Sequence, residues 1–146
     1  MNDMDLLTVE DINKLCKNSL IEHLGISITE INADTVKATM PVDNRTKQPL
    51  GLLHGGAVMA LVETVGSIGS YFLVDAEKFD VVGMEINGNH IGNTTCSFVY
   101  AVAHLIHQGR RTHVWNVDIF DEDDTPISVC RITNMVLEKP EKQKEN

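Results

Sequence analysis

The sequence predicts an α+β domain, and two patterns carry that reading. One long segment, Gly55 to Val74, is apolar or small throughout except for one charged residue, Glu63. Two strand-like runs precede it and four follow, and four consecutive strands favour an antiparallel sheet because parallel neighbours need long crossovers. A helix that is apolar all round must be covered on all sides. A curved antiparallel sheet wrapped around it meets that demand.

Each element has its own signal. Thr8 and Asp11 form a helix-capping pair, and Val9, Ile12, Leu15 and Cys16 then recur at helical spacing, which predicts a short amphipathic helix. Leu24, Ile26 and Ile28 alternate with polar or small residues, as do Val36, Ala38 and Met40. The turn chemistry of Asn32-Ala33-Asp34 between them predicts a hairpin. Periodicity stops from Asp43 to His54, where Pro49 and Gly51 mark a loop. After the long helix come strands around Val82–Ile86, Cys96–Leu105, Val114–Phe120 and Ile127–Leu137, with Asp121-Glu122-Asp123-Asp124 as a polar turn before the last. Residues 1–138 read as a single domain. The polar, charge-dense stretch 139–146 reads as a frayed tail.

Composition narrows the function classes. A chain of 146 residues with 42% hydrophobic and 23% charged residues is expected to be soluble, globular and a single domain. Twelve basic against 21 acidic residues leave a net charge of −9, which argues against a coat for nucleic acid or anionic membrane. Cys16, Cys96 and Cys130 are an odd count without CxxC spacing, which suggests buried thiols in a reducing compartment rather than disulfides or zinc. Met1 to Leu7 holds two aspartates and no basic region, so no signal peptide is expected and a cytoplasmic protein is the default. Gly55–Val74 is long enough to span a bilayer, but Glu63, Thr64, Ser67, Ser70 and four glycines argue against that.

Glu63 is the residue of most chemical interest. A carboxylate among apolar neighbours is costly unless paired or protonated. Two readings stay open: a structural acid that reaches the domain edge or meets Arg131, or a desolvated carboxylate of raised basicity suited to nucleophilic or general-base work. Gly66 and Gly69 each disfavour a helix by about 1 kcal/mol relative to alanine, which suggests close approach of another backbone. At the helix start, His54-Gly55-Gly56 leaves first-turn N–H groups that suit either a plain cap or a developing oxyanion. Glu63 lies eight positions beyond Gly55, about 12 Å along the axis, whereas a nucleophile and an oxyanion donor must meet at one carbonyl. Two copies of the helix packed antiparallel about a two-fold axis would bring Gly55 of one chain to Glu63 of the other.

The run Gln48-Pro49-Leu50-Gly51-Leu52-Leu53-His54-Gly55-Gly56-Ala57, continuing through Glu63-Thr64-Val65-Gly66-Ser67, resembles the hotdog-fold acyl-CoA thioesterases. The branch is that of the phenylacetate-pathway thioesterases and the menaquinone-pathway 1,4-dihydroxy-2-naphthoyl-CoA hydrolases. The likeness covers about residues 20–138 and includes Gly83-Met84-Glu85-Ile86-Asn87, Asn89-His90 and His107-Gln108-Gly109-Arg110-Arg111. It implies that Glu63 attacks the thioester carbonyl or activates a water. Gly55 N–H and the Gln48 amide would polarise that carbonyl from the neighbouring chain, His54 would help position the thioester, and Ser67 would hold the water. Val82, Gly83, Met84, Glu85 and His90 would flank the pantetheine arm, and His107, Gly109, Arg110 and Arg111 would contact the nucleotide phosphates. The chain departs from the family after His90, where relatives often carry a basic residue and this sequence reads Ile91-Gly92-Asn93.

The expected protein is therefore a homo-oligomeric acyl-CoA thioesterase, dimeric at minimum and, by the resemblance, tetrameric, acting on an aromatic or medium-sized acyl group. No metal and no cofactor beyond the CoA of the substrate are expected. His104, His107 and His113 lack a nearby acid to complete a metal set, and G-x-S-x-G, P-loop and G-x-G-x-x-G motifs are absent. Two rivals are a hotdog hydratase or dehydratase, whose branch typically carries an Asp/His constellation that this helix lacks, and a non-catalytic acyl-CoA-binding module. Glu63 discriminates against the latter, because a binder needs no carboxylate at the reaction centre.

Overall fold

The computed structural model describes residues 7–140. The expectations for the first six residues and for 141–146 of the tail fall outside these. The elements run α1 (Val9–Leu15), α2 (Leu20–His23), β1 (Ser27–Ile31), β2 (Thr35–Pro41), α3 (Gly55–Phe72), β3 (Phe79–His90), β4 (Phe98–Gln108), β5 (Thr112–Asp121) and β6 (Pro126–Glu138). The strands form a six-stranded antiparallel sheet in the order β1-β2-β4-β5-β6-β3, which is the hotdog arrangement around α3. Consecutive strands β4, β5 and β6 are neighbours. β3 is not beside β4: it pairs with β6 and ends the sheet as a free edge.

Local chemistry sets the boundaries. The Thr8 hydroxyl accepts from Asp11 N–H at 3.2 Å while the Asp11 carboxylate accepts from Thr8 N–H at 3.0 Å, a complete capping box. Cys16 is the C-cap of α1 rather than part of it. The predicted strand from Leu24 begins only at Ser27, because Ser19 caps a four-residue helix, α2, just before it. In the β5–β6 turn, Asp121 Oδ1 accepts the N–H groups of Asp123 and Thr125, both at 3.0 Å. Lys139, expected in the frayed tail, is held: its N–H donates to Lys78 O at 2.8 Å and its ammonium to Ala76 O at 2.7 Å.

The core lies between α3 and the concave face of the sheet. Val58, Leu61, Val62 and Val65 meet Val36, Met40, Val99, Val117, Ile119 and Ile132, all buried. Two expectations about α3 need correcting. The groups that press close at Gly66 and Gly69 are side chains, not backbone. A Cβ on Gly69 would lie 2.6 Å from Trp115 Cζ2, and one on Gly66 would overlap Ile132 Cγ2. Nor is α3 wrapped on all sides. The sheet curves around one side only, leaving a stripe at Gly56, Met59, Ala60, Glu63, Ser67 and Tyr71 that is exposed or half-buried. No helix among the described residues is long and apolar enough to cross a membrane.

A polar cluster sits under the C-terminal half of α3. Trp115 Nε1–H donates to Ser70 Oγ at 2.9 Å, and Asn134 Nδ2–H donates to both Gly66 O and Ser70 Oγ at 2.9 Å. His113, opposite Asn134 on β5, is buried with Nδ1 unpartnered among the described residues. Burial, and secondarily the neighbouring His107, push the His113 imidazole below its ordinary value of 6.5. Below that value the unfolded chain takes up a proton that the folded chain refuses, so stability is expected to fall as the pH drops through and below about 6.5. Urea midpoints measured across this window should decline less for His113→Gln than for the wild type; parallel declines would exclude His113 as the cause.

Candidate active site

The segment before α3 is pinned so that one amide stays free. His54 N–H donates to Thr46 O at 2.8 Å, Gln48 N–H to Leu52 O at 2.8 Å and Gly51 N–H to Gln48 O at 2.9 Å, with Gly51 at φ +82° where an L side chain is strained. The Gln48 side-chain oxygen accepts from Leu50 N–H, which turns the Gln48 NH2 away from that bond and leaves it to donate elsewhere. His54 caps α3 twice over. Its Nδ1 accepts from Gly56 N–H at 2.8 Å, and its carbonyl accepts from Ala57 and Val58 at 3.0 and 3.2 Å. That leaves Gly55 N–H as the one first-turn amide without a partner among the described residues. The His90 ring covers this glycine, since a Cβ there would lie 2.6 Å from His90 Nε2, and Ser128 Oγ holds His90 Nδ1 at 2.8 Å. Gln48, Leu53, Gly55, Val58 and His90 line a common cavity of about 190 Å³.

Two helical turns on lies the acid. Glu63 lines a separate cavity of about 120 Å³ with Gly83, Met84, Glu85, Ile86 and Ile132. It is exposed in the single chain, which corrects the expectation of a carboxylate enclosed by apolar neighbours. The reason is the open stripe of α3, which the sheet does not reach. The alternative pairing with Arg131 is not formed: Arg131 is exposed on β6, while its neighbours Cys130 and Ile132 turn inward. Ser67, one turn beyond Glu63, lines an apolar cavity of about 410 Å³ with Ile12, Leu15, Ile21, Ile68 and Tyr71.

The basic turn is a third locus. Gly109 N–H donates to Thr112 O at 2.9 Å to close it, and His107 packs against Gly109. Arg110 and Arg111 are exposed and have no carboxylate within 4.0 Å among the described residues. They border a cavity of about 480 Å³ with Phe79, Val136, Leu137 and Glu138. Elsewhere, the ligand atoms of Cys96, Asp121 and Asp123 lie within 4.8 Å of one another, but Asp121 is already committed to turn amides.

Residues 50–128 match the thioesterase superfamily, a span that includes Gly55, Glu63, Ser67 and the basic turn. The chain belongs to the thioesterase superfamily. It is 41% identical to the 1,4-dihydroxy-2-naphthoyl-CoA hydrolase of Escherichia coli over 131 residues, covering 90% of this chain and 96% of that protein. Among solved structures, a thioesterase from Haemophilus influenzae superposes with a TM-score of 0.88 at 42% identity, covering 94% of this chain and 95% of the other. A mutant thioesterase from Pseudomonas aeruginosa gives 0.88 at 41% identity, covering 91% and 96%. Membership brings the reaction class with it, hydrolysis of a thioester.

Within this thioesterase, sequence patterns do not mark Ser128 as a partner of His90, nor Ile12, Ile21 and Tyr71 as lining the cavity beside Ser67. Tyr71 had a usable signal, lying eight residues beyond Glu63 on the same helical face. Ser128 had none, because its partner His90 is 38 positions away and only the β3–β6 register brings them together.

Proposed function

We propose that the chain hydrolyses the thioester of an aromatic or medium-sized acyl-CoA in a site shared between two copies, with Glu63 as the reacting carboxylate. The observation that carries this reading is the separation of its two halves. The unpartnered Gly55 N–H and the Glu63 carboxylate lie in different cavities, about 12 Å apart along one rigid helix. Both must reach the same carbonyl for oxyanion stabilisation to assist attack. The open stripe of α3 and the free edge of β3 provide a face on which a second copy docks in antiparallel fashion, bringing the partner's Gly55 to Glu63.

In that arrangement Glu63 either attacks the carbonyl carbon to give a mixed anhydride, which water then opens, or takes a proton from a water that attacks directly. The CoA sulfur leaves and is protonated in either route. Gly55 N–H and the Gln48 NH2 donate to the carbonyl oxygen as it gains charge. Ser67 holds the attacking water. His54 acts chiefly by committing Gly56, Ala57 and Val58, so that Gly55 alone stays open to the substrate. The cavity beside Ser67 is apolar and large enough for a ring system, which supports an aromatic acyl group. The named activity of the Escherichia coli relative points the same way. Val82–Glu85 and His90 flank the pantetheine arm, and His107, Gly109, Arg110 and Arg111 take the phosphates, where free guanidinium groups suit charge-assisted hydrogen bonds. The reaction so written involves no metal, nucleic acid or membrane, and fits a cytoplasmic enzyme.

Free-thiol release across a panel of aromatic and aliphatic acyl-CoAs tests the substrate class; the aromatic members should turn over fastest. Mixed-subunit dimers test the sharing. Gln48→Ala and Glu63→Ala chains, each nearly inactive alone, should recover up to about a quarter of wild-type activity per protomer after subunit exchange, since one of the two sites is intact in each of the hybrids that form half the population. Absence of recovery after exchange shown by mass spectrometry would refute a shared site.

A further inference from the structure

We propose that Gly83 is a positioning residue for the acid: its missing side chain, at a bulge in β3, is the seat of the Glu63 carboxylate. The inference rests on the reading of Glu63 as the reacting group and adds what holds it in place. The register of β3 on β6 skips one residue here, with Gly83 opposite Asn134 and Glu85 opposite Thr133, so Met84 is extra. Such a bulge bends the strand and re-aims its neighbours. It falls where β3 meets Glu63, and the same residues line the 120 Å³ cavity. A Cβ on Gly83 would occupy the space of Glu63 Oε1 and lie 3.4 Å from Cδ.

The seat is held at a fixed distance from the helix. Asn134, fully buried, donates to Gly66 O and Ser70 Oγ at 2.9 Å, tying β6 to α3 within one turn and two turns of Glu63 respectively. Gly83 pairs with that same Asn134. A methyl group at this position therefore cannot move away with the strand, and the carboxylate must yield. Because the carboxylate is the far end of a flexible side chain at an exposed site, yielding costs the fold little. It costs the reaction its alignment, and a displacement of about 1 Å at a reacting group lowers rate by about 10²-fold.

The experiment measures kcat, KM and thermal midpoint for Gly83→Ala in two backgrounds, wild type and Glu63→Asp, with Glu63→Gln alongside. In the wild-type background kcat should fall about 10²-fold, beyond any smaller rise in KM from the added methyl beside the pantetheine arm, with melting little changed. In the Glu63→Asp background, where the shorter side chain stops short of the seat, the same substitution should change kcat by no more than about twofold. Equal losses in both backgrounds, a loss confined to KM, or a destabilised fold would overturn the inference, as would full activity of Gly83→Ala. Should Glu63→Gln itself retain wild-type turnover, the reading of the acid fails and this inference with it. An inactive Glu63→Gln beside a fully active Gly83→Ala removes the seat alone.

Discussion

Glu63→Gln is expected to lower turnover by about 10²–10⁴-fold, the range over which a positioned base or nucleophile contributes, while CoA still binds. The substitution keeps the shape of the side chain and its fit against Gly83 but removes the charge and the lone pair that attack or accept a proton. Glu63 is exposed on the open stripe of α3 and has no ion-pair partner among the described residues, so the fold does not depend on it. Melting should be nearly unchanged. Free-thiol release at saturating acyl-CoA, with calorimetric binding of CoA as the second measurement, checks both halves. A variant that turns over at the wild-type rate would mean the carboxylate takes no part.

Trp115→Ala is expected to be the most destabilising single truncation, at about 3–5 kcal/mol. The indole is fully buried, lies against Gly69 where a Cβ would come within 2.6 Å of it, and donates to Ser70 Oγ at 2.9 Å. Its removal opens a cavity between β5 and α3 and takes away one of the two donors that meet at Ser70. The helix cannot collapse into the space, because Asn134 holds Gly66 and Ser70 at their present distance from β6. Urea denaturation followed by circular dichroism measures the loss; a cost under about 1 kcal/mol would mean that the core repacks freely around the gap.

The parts of the fold that were legible in the sequence are those encoded locally. The Thr8–Asp11 capping box, the alternation of Val36, Ala38 and Met40, and the apolar run that becomes α3 each depend on residues a few positions apart. Helix α2 was missed because it is four residues long and buries none of them. The position of β3 beside β6 was missed because strand order is decided by long-range pairing, which alternation within a strand does not report. For the candidate site, the residue types were legible and their surroundings were not. Whether Glu63 is enclosed depends on where the sheet stops curving, a property of all six strands together. The spacing of Gly55 and Glu63 fared better, since eight residues of helix have one length in any fold.

The edge presented by β3 has a consequence for the isolated chain. Its twelve residues carry neither lysine nor proline, so the bulge at Met84 and the carboxylates of Asp80 and Glu85 are its guards against sheet-to-sheet growth, while Val82 and Met84 are 43% and 52% exposed upon it. An isolated chain thus offers the unpaired backbone groups of this edge to other copies nearby. Crowded overproduction is therefore expected to favour aggregation through this edge, and slow, dilute production at low temperature to reduce it.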